Sequence, residues 1–177
     1  MDMNETNLTI VDYRDVEKKG EVKRLYRKAF PREERAPWLR LMRAYNEWDC
    51  AIEAYYHGKT FIGFTVELER TEFIYLFFFA VSRRVRGKGY GKKILRSVTE
   101  GFRGKTVVID IEAVYDGAPN LKEREKRKSF YLSQGFISSG LEFIVRGVQY
   151  ETMYFGEDFN ADAYRKFIEE RVLQFKA

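Results

Sequence analysis

The sequence has one cysteine, Cys50, and one histidine, His57. A single cysteine excludes an internal disulfide framework, and a single histidine leaves no His/Cys cluster with zinc-ligand spacing, so the chemistry is expected to need no metal. Long hydrophobic runs are also missing: no apolar stretch approaches the ~20 residues of a membrane-spanning helix. The opening residues Met1-Asp2-Met3-Asn4-Glu5 are too polar and acidic for a signal peptide, and the expected setting is soluble and cytoplasmic, away from a membrane. Proline occurs three times, and no Pro/Gly/Ser-rich linker divides the chain. With 177 residues, 45% of them hydrophobic, the sequence can bury one sizeable core, and residues 1–177 read as a single domain.

Charge of one sign does not dominate either. The balance of 32 basic against 27 acidic residues, +5 overall with a sequence pI near 9.2, is a mixed surface with a modest preference for anionic partners. The excess has local sources. Arg83 to Lys93 holds six basic residues and no acid, and Lys122 to Lys128 holds five against two acids. The second run reads equally well as a solvated face.

The stretch Arg86-Gly87-Lys88-Gly89-Tyr90-Gly91 carries the most information. It follows the apolar run Phe73 to Val81 and precedes the helical pattern Ile94, Leu95, Val98, Phe102, so it reads as strand, glycine loop and helix start. Alternate glycines let the backbone approach a ligand closely, and the first amides of a helix offer unpaired N–H donors at the positive end of its dipole. A phosphate suits such a site. A solvated strand–helix junction has the same composition, and the loop alone does not separate the two.

Spacing removes the familiar alternatives. A P-loop needs Gly-Lys-Ser/Thr five residues after its first glycine, but Lys92 stands five after Gly87; the dinucleotide fingerprint fails because Lys92 and Ile94 stand three after Gly89 and Gly91. Lys88-Gly89-Tyr90-Gly91 matches the start of the RNA-binding RNP1 pattern, and Phe73, Tyr75, Phe77 and Phe79 could be stacking aromatics on one strand face. That match breaks at Lys92-Lys93-Ile94-Leu95, where the apolar period becomes helical.

Along the chain, Leu8 to Tyr13 reads as a first strand, and Val22, Leu25, Tyr26, Ala29 and Phe30 form a helix stripe ending at Pro31. Trp38, Leu41, Met42 and Tyr45 suggest a second helix, with Pro37 in its first turn. Cys50 to Tyr56 and Phe61 to Leu68 read as a hairpin about His57-Gly58-Lys59. Thr106 to Ile111 is a β-branched strand, Leu121 to Gln134 a charged helix ending at Gly135, and Phe136 to Val145 with Val148 to Phe155 a hairpin about Arg146-Gly147. Asn160 can cap a last helix, 160–176, carrying Tyr164, Phe167, Ile168, Val172 and Phe175.

Arg86-x-x-Gly89-x-Gly91 fits R/Q-x-x-G-x-G/A, the element that holds the coenzyme A pyrophosphate in the GNAT superfamily of N-acetyltransferases. A second match is Arg124-x-x-Arg127-x-x-Phe130-Tyr131-x-x-x-Gly135-Phe136. The chain resembles that superfamily over about residues 8–155, and the final helix lies outside the resemblance. The implied fold is α+β: a mostly antiparallel twisted sheet of about seven strands with flanking helices and an extra C-terminal helix.

The resemblance implies an enzyme that uses acetyl-CoA as co-substrate, transferring the acetyl group to a primary amine by direct attack in a ternary complex. The acceptor is a small molecule or a peptide, and nucleic acid is not the expected partner. Arg86, Gly87, Lys88, Gly89, Tyr90, Gly91 and Lys92 would hold the coenzyme, and backbone amides of Phe79, Ala80 and Val81 the pantetheine, aiming a donor at the thioester oxygen. Tyr131 would protonate the departing thiolate, which suits a phenol of reference pKa about 10. Many members carry Asn and Ala where this chain has Arg124 and Arg127. Asn120, one helical turn earlier, either bonds the pantetheine or simply opens the helix.

For the base the sequence offers Glu112, with Asp110 on the same strand face, and Glu67, Glu69 and Glu72; Glu112 is preferred, against a solvated strand-end carboxylate or a water chain. Phe30-Pro31-Arg32-Glu33-Glu34-Arg35 and Trp38 line the acceptor site or serve as helix connection and core. The last helix covers the active site, packs on the sheet or mediates a homodimer. Two other functions stay open: a non-catalytic acyl-CoA-binding or regulatory module, and, more weakly, an RNA-binding domain.

Overall fold

A computed structural model describes residues 8–32, 34–47, 50–102 and 104–172, with residues 171 and 172 described by backbone alone. Seven strands form one open mixed sheet in the order β1-β2-β3-β4-β5-β7-β6, where β1 is Thr9–Asp12, β2 Cys50–His57, β3 Thr60–Glu69, β4 Phe73–Val81, β5 Thr106–Glu112, β6 Ile137–Val145 and β7 Val148–Phe155. The pairs β1–β2, β2–β3, β5–β7 and β6–β7 are antiparallel, and β4 runs parallel to β5 with Phe73, Ile74 and Tyr75 opposite Thr106, Val107 and Val108. The helices are α1 (Lys19–Ala29), α2 (Trp38–Glu47), α3 (Tyr90–Gly101), α4 (Leu121–Ser133) and α5 (Ala161–Phe167), the last running into a π-helical turn, Ile168–Val172. Tyr13, expected at the end of the first strand, instead opens a 3-10 turn whose N-cap is Asp12.

Local chemistry sets these boundaries. Helix α1 stops at Phe30, which is extended (φ −117°, ψ 131°) because the following Pro31 disfavours helical backbone in the residue before it. The β6–β7 hairpin turns on Arg146 and Gly147, both at positive φ (51° and 79°), as a two-residue turn between twisted strands requires.

The fold divides into two compact units, one within Met1–Leu68 and Phe77–Val98, the other within Glu69–Leu76 and Thr99–Ala177. In the first, the α1 stripe of Val22, Leu25 and Tyr26 is buried, and the Tyr26 ring meets Phe64 and Phe78 with centroids 6.2 and 5.0 Å away. Each such side chain stabilises the fold by about 1.5–3 kcal/mol relative to exposure. A second cluster joins Tyr55, Ile62, Val85 and Ile94, against which Phe79, Val81 and Tyr90 pack.

In the second unit α5 packs on the sheet. Phe73 meets Tyr164 and Phe167 at 5.5 and 5.4 Å, and Tyr75 meets Phe167 at 5.2 Å. The Asp110 carboxylate accepts bonds from Tyr75 (2.7 Å), Tyr164 (2.6 Å) and Thr152 (2.8 Å) hydroxyls. Asn160 caps α5 as expected, its side-chain oxygen accepting from Ala163 N at 3.0 Å. The Val172 side chain and Phe175 lie outside the described residues. Phe73 and Tyr75, two of the four aromatics that read as a stacking face, are buried under α5.

Candidate active site

The glycine loop belongs to the first unit. Gly87 and Gly89 take φ of 77° and 78°, values that side-chain-bearing residues avoid, whereas Gly91 lies inside α3. Helix α3 begins at Tyr90, with Lys93 N bonding back to Gly89 O at 3.3 Å, so the preceding amides have no intrahelical acceptor. Arg83, Arg84, Arg86, Lys88, Lys92 and Lys93 are all exposed around this start. Helix dipole and cations favour the same ligand, an anion. Side chains brace the loop as well: Arg86 Nε donates to Val81 O at 3.4 Å, and the Tyr90 hydroxyl meets His57 Nδ1 at 2.9 Å. The one histidine therefore braces the loop.

Upstream, Ala80 is buried and Phe79 and Val81 pack into the cluster around Tyr55, so these side chains are core and their backbone is what remains for a ligand. Gly63 sits beside them on β3. A Cβ there would overlap the Ala80 carbonyl oxygen and come within 3.2 Å of Val81 Cα, while Ser82 N donates to Ile62 O at 2.7 Å. An isolated glycine within a strand pattern is the sequence signal of such close approach.

In the second unit Tyr131 is 5% exposed, its ring edge-on to Phe130 and Phe136 at 5.2 and 5.4 Å. Its hydroxyl has no hydrogen-bond partner among the described residues. Burial pushes its pKa well above the ordinary phenol value, with Arg127 acting weakly in the other direction, so the group is a proton donor at neutral pH. Gly135 (φ 86°) ends α4, and Phe136 N returns to Tyr131 O at 3.1 Å, fixing the aromatic pair. Asn120 opens the helix in left-handed conformation (φ 52°) without a side-chain cap bond; its carbonyl accepts from Glu123 and Arg124 amides.

Glu112, the carboxylate preferred as base from the sequence, is paired at both oxygens. One of its oxygens meets Arg124 Nη2 at 3.2 Å and the other is bonded by Arg127 Nη1. Two guanidiniums thus engage both carboxylate oxygens and tie the end of β5 to α4. Arg124 is 4% exposed, donates to Ala113 O at 2.9 Å and lies over the Tyr115 ring at 5.7 Å, yet its Nε has no partner.

The other carboxylates named in the sequence separate by environment. Glu69 pairs with Lys105 Nζ at 2.6 Å, Glu72 accepts from Asn160 Nδ2 at 3.1 Å, and Asp110 is bonded by three hydroxyls. Glu67, in the first unit, is 2% exposed with an unpartnered Oε1, and burial, reinforced by Glu53, pushes its pKa up to about 8. Glu151 on β7 was not singled out in the sequence. It is 5% exposed, with Oε2 on Lys128 Nζ at 2.8 Å and Oε1 unpartnered.

Of the expected acceptor residues, Phe30 and Trp38 join an aromatic cluster: Phe30 meets Phe78 at 4.9 Å, and Trp38 meets Tyr26 and Tyr13 at 5.5 and 5.9 Å. The Tyr26 hydroxyl donates to Ala36 O at 2.9 Å, closing the connection between α1 and α2. Pro31 and Arg32 are exposed, Glu34 and Arg35 half-buried, and Glu33 lies outside the described residues. Among the described residues, no three His, Cys, Asp or Glu side chains gather in a metal-binding group, and no helix is long and apolar enough to cross a membrane.

The family model of the GNAT acetyltransferases matches residues 20–136, from α1 through the glycine loop to Phe136. The chain belongs to the GNAT family of acetyltransferases. No curated protein matches it. Among solved structures, a protein named as a GNAT-family acetyltransferase of Bacteroides thetaiotaomicron is similar over 97% of this chain and 99% of its own, with TM-score 0.72 and 21% identity. A GNAT acetyltransferase of Elizabethkingia anophelis with acetyl-CoA bound covers 86% and 100% (TM-score 0.60, 14% identity). An aminoglycoside 6′-N-acetyltransferase complexed with coenzyme A covers 86% and 99% (TM-score 0.66, 14% identity). These likenesses show a shared GNAT fold.

Within the GNAT pattern, Arg124 and Arg127 are this chain's departure, and the structure accounts for them as the partners of Glu112.

Proposed function

We propose that residues 1–177 act as one acyltransferase domain that moves the acetyl group of acetyl-CoA to a primary amine by direct attack, in the cytoplasm. The observation that carries this reading is the glycine loop, where positive-φ glycines, the start of α3 and six exposed cations offer a seat for a pyrophosphate. In this reading Arg86, Gly87, Lys88, Gly89, Tyr90, Gly91 and Lys92 hold the coenzyme phosphates. Backbone of Phe79, Ala80 and Val81 carries the pantetheine, with Asn120, whose side chain makes no cap bond, as a further donor. The GNAT neighbours crystallised with acetyl-CoA or coenzyme A support the choice of co-substrate.

The amine nitrogen forms a C–N bond to the thioester carbonyl carbon, the C–S bond breaks and the thiolate takes the Tyr131 phenol proton, while the proton released by the amine passes to a water chain that returns one to the Tyr131 phenolate. Tyr131 is suited to that step because burial keeps it protonated. Glu112 enters as the residue that holds α4 through Arg124 and Arg127, not as the base.

Calorimetric titration with acetyl-CoA, followed by a thiol-release assay over a panel of amines, tests the reading. Saturable binding and amine-dependent thiol release are expected. Absence of acetyl-CoA binding would end it, and binding without turnover would favour a sensing module.

A further inference from the structure

Helix α4 presents Arg124, Arg127, Lys128 and Tyr131 at i, i+3, i+4 and i+7, which is one helix face. The first two meet Glu112, and Lys128 meets Oε2 of Glu151. The fourth, Tyr131, has a buried ring and a hydroxyl without a partner among the described residues. Glu151 is likewise half satisfied: its Oε1 is buried and accepts from nothing. A buried carboxylate oxygen with an empty acceptor position is costly to fold around, and native proteins keep one where a ligand or a water fills it. Glu151 is bonded one helical turn from Tyr131, the proposed proton donor.

We propose that Glu151 Oε1 anchors the nitrogen of the acceptor and selects amines presented in uncharged form. The proposal rests on the acyltransferase reading above. A carboxylate oxygen accepts only, so its partner is an N–H or O–H donor. Charge decides between the two forms of an amine. The face carries three cations, Arg124, Arg127 and Lys128, against two carboxylates, Glu112 and Glu151, so an incoming ammonium meets a net positive surround. A neutral –NH2 donates a weaker hydrogen bond but escapes that repulsion, and it is the form whose lone pair can attack a thioester. The favoured acceptors are weakly basic amines, such as aromatic amines, that are neutral at pH 7. Polycations are disfavoured.

The test compares wild type with Glu151→Gln and Lys128→Met, using p-anisidine, spermidine and kanamycin as acceptors and calorimetry for acetyl-CoA. In Glu151→Gln the amide oxygen remains with Lys128 and the NH2 group replaces Oε1, turning an acceptor into a donor. Wild type is expected to prefer p-anisidine to either polycation by about tenfold or more in kcat/KM, and Glu151→Gln to raise KM for p-anisidine about tenfold. Acetyl-CoA affinity should stay at the wild-type value, which also reports an intact fold. Lys128→Met removes the neutralising cation and should narrow the preference against spermidine.

A wild-type KM in Glu151→Gln, a wild type that prefers spermidine or kanamycin, an unaltered preference in Lys128→Met, or a wild type that binds acetyl-CoA and acetylates none of the three would each overturn the proposal while leaving the coenzyme reading standing. Failure to bind acetyl-CoA at all would remove that reading, and the proposal with it.

Discussion

Gly63 of β3 lies against the Ala80 carbonyl of β4 with no room for a Cβ between them. The atoms that would have to yield are backbone, not the far end of a flexible side chain. Gly63→Ala should therefore displace the end of β4 at a cost of about 1–3 kcal/mol. Acetyl-CoA affinity should fall with thermal stability, because the displaced peptides are those of Ala80 and Val81. Calorimetry and a thermal melt on the same sample check this; a lower Tm with unchanged affinity would remove that backbone from the coenzyme site.

Tyr131→Phe removes a hydroxyl that bonds nothing else among the described residues, so the fold should tolerate it. Loss of a general acid should lower kcat about 100-fold with little change in acetyl-CoA affinity. Since burial raises the phenol's pKa, the wild-type rate should show no alkaline decline from this group below about pH 10. An unchanged kcat in the variant would take Tyr131 out of the mechanism.

The ion pairs of Glu112 should be unequal in stability. Glu112→Gln leaves the buried Arg124 without its counter-charge, and the loss should reach about 3–5 kcal/mol. Arg127 is 42% exposed, and Arg127→Ala should cost within about 1 kcal/mol. Urea denaturation of both variants measures the difference. Were Glu112 the base, its Gln variant would also lower kcat strongly.

These contrasts show what could be seen in the sequence. The glycine loop, Gly135 and the Asn160 cap were legible because each imposes a local backbone or capping requirement that a few adjacent residues reveal. The aromatic alternation of Phe73 and Tyr75 was legible as one strand face but not as to what covers it, since α5 lies about ninety residues along the chain. The two partners of Glu112 were not legible because they sit on a helix whose facing direction is a tertiary fact. The burial of Glu151 is hidden in the sequence for the same reason: a glutamate in an alternating strand looks solvated until the neighbouring helix is in place.

Glu67 makes stability depend on pH. Its carboxyl has an ordinary value of 4.5 when unfolded and about 8 in the fold. Below 4.5 both states are protonated and burial carries no ionic penalty. Between 4.5 and 8 the unfolded chain has released a proton that the folded chain keeps, so folding stability falls as pH rises. Glu67→Gln lacks this loss. Its Tm should match wild type near pH 4 and exceed it increasingly toward pH 8, with a ceiling of several kcal/mol; a constant gap across that range would contradict an unusually basic Glu67.

Helix α4 buries Arg124 and Tyr131 rather than an apolar stripe. Apolar burial between a helix and a sheet is non-directional, and that term alone is comparatively indifferent to a small rotation of the helix. Ion pairs on fixed stems are not indifferent. With Arg124 and Arg127 bound to one strand and Lys128 to another, the rotational phase of α4 about its own axis is locked from two sides. The angle at which the Tyr131 hydroxyl leaves the helix is thereby set by charges that never touch it.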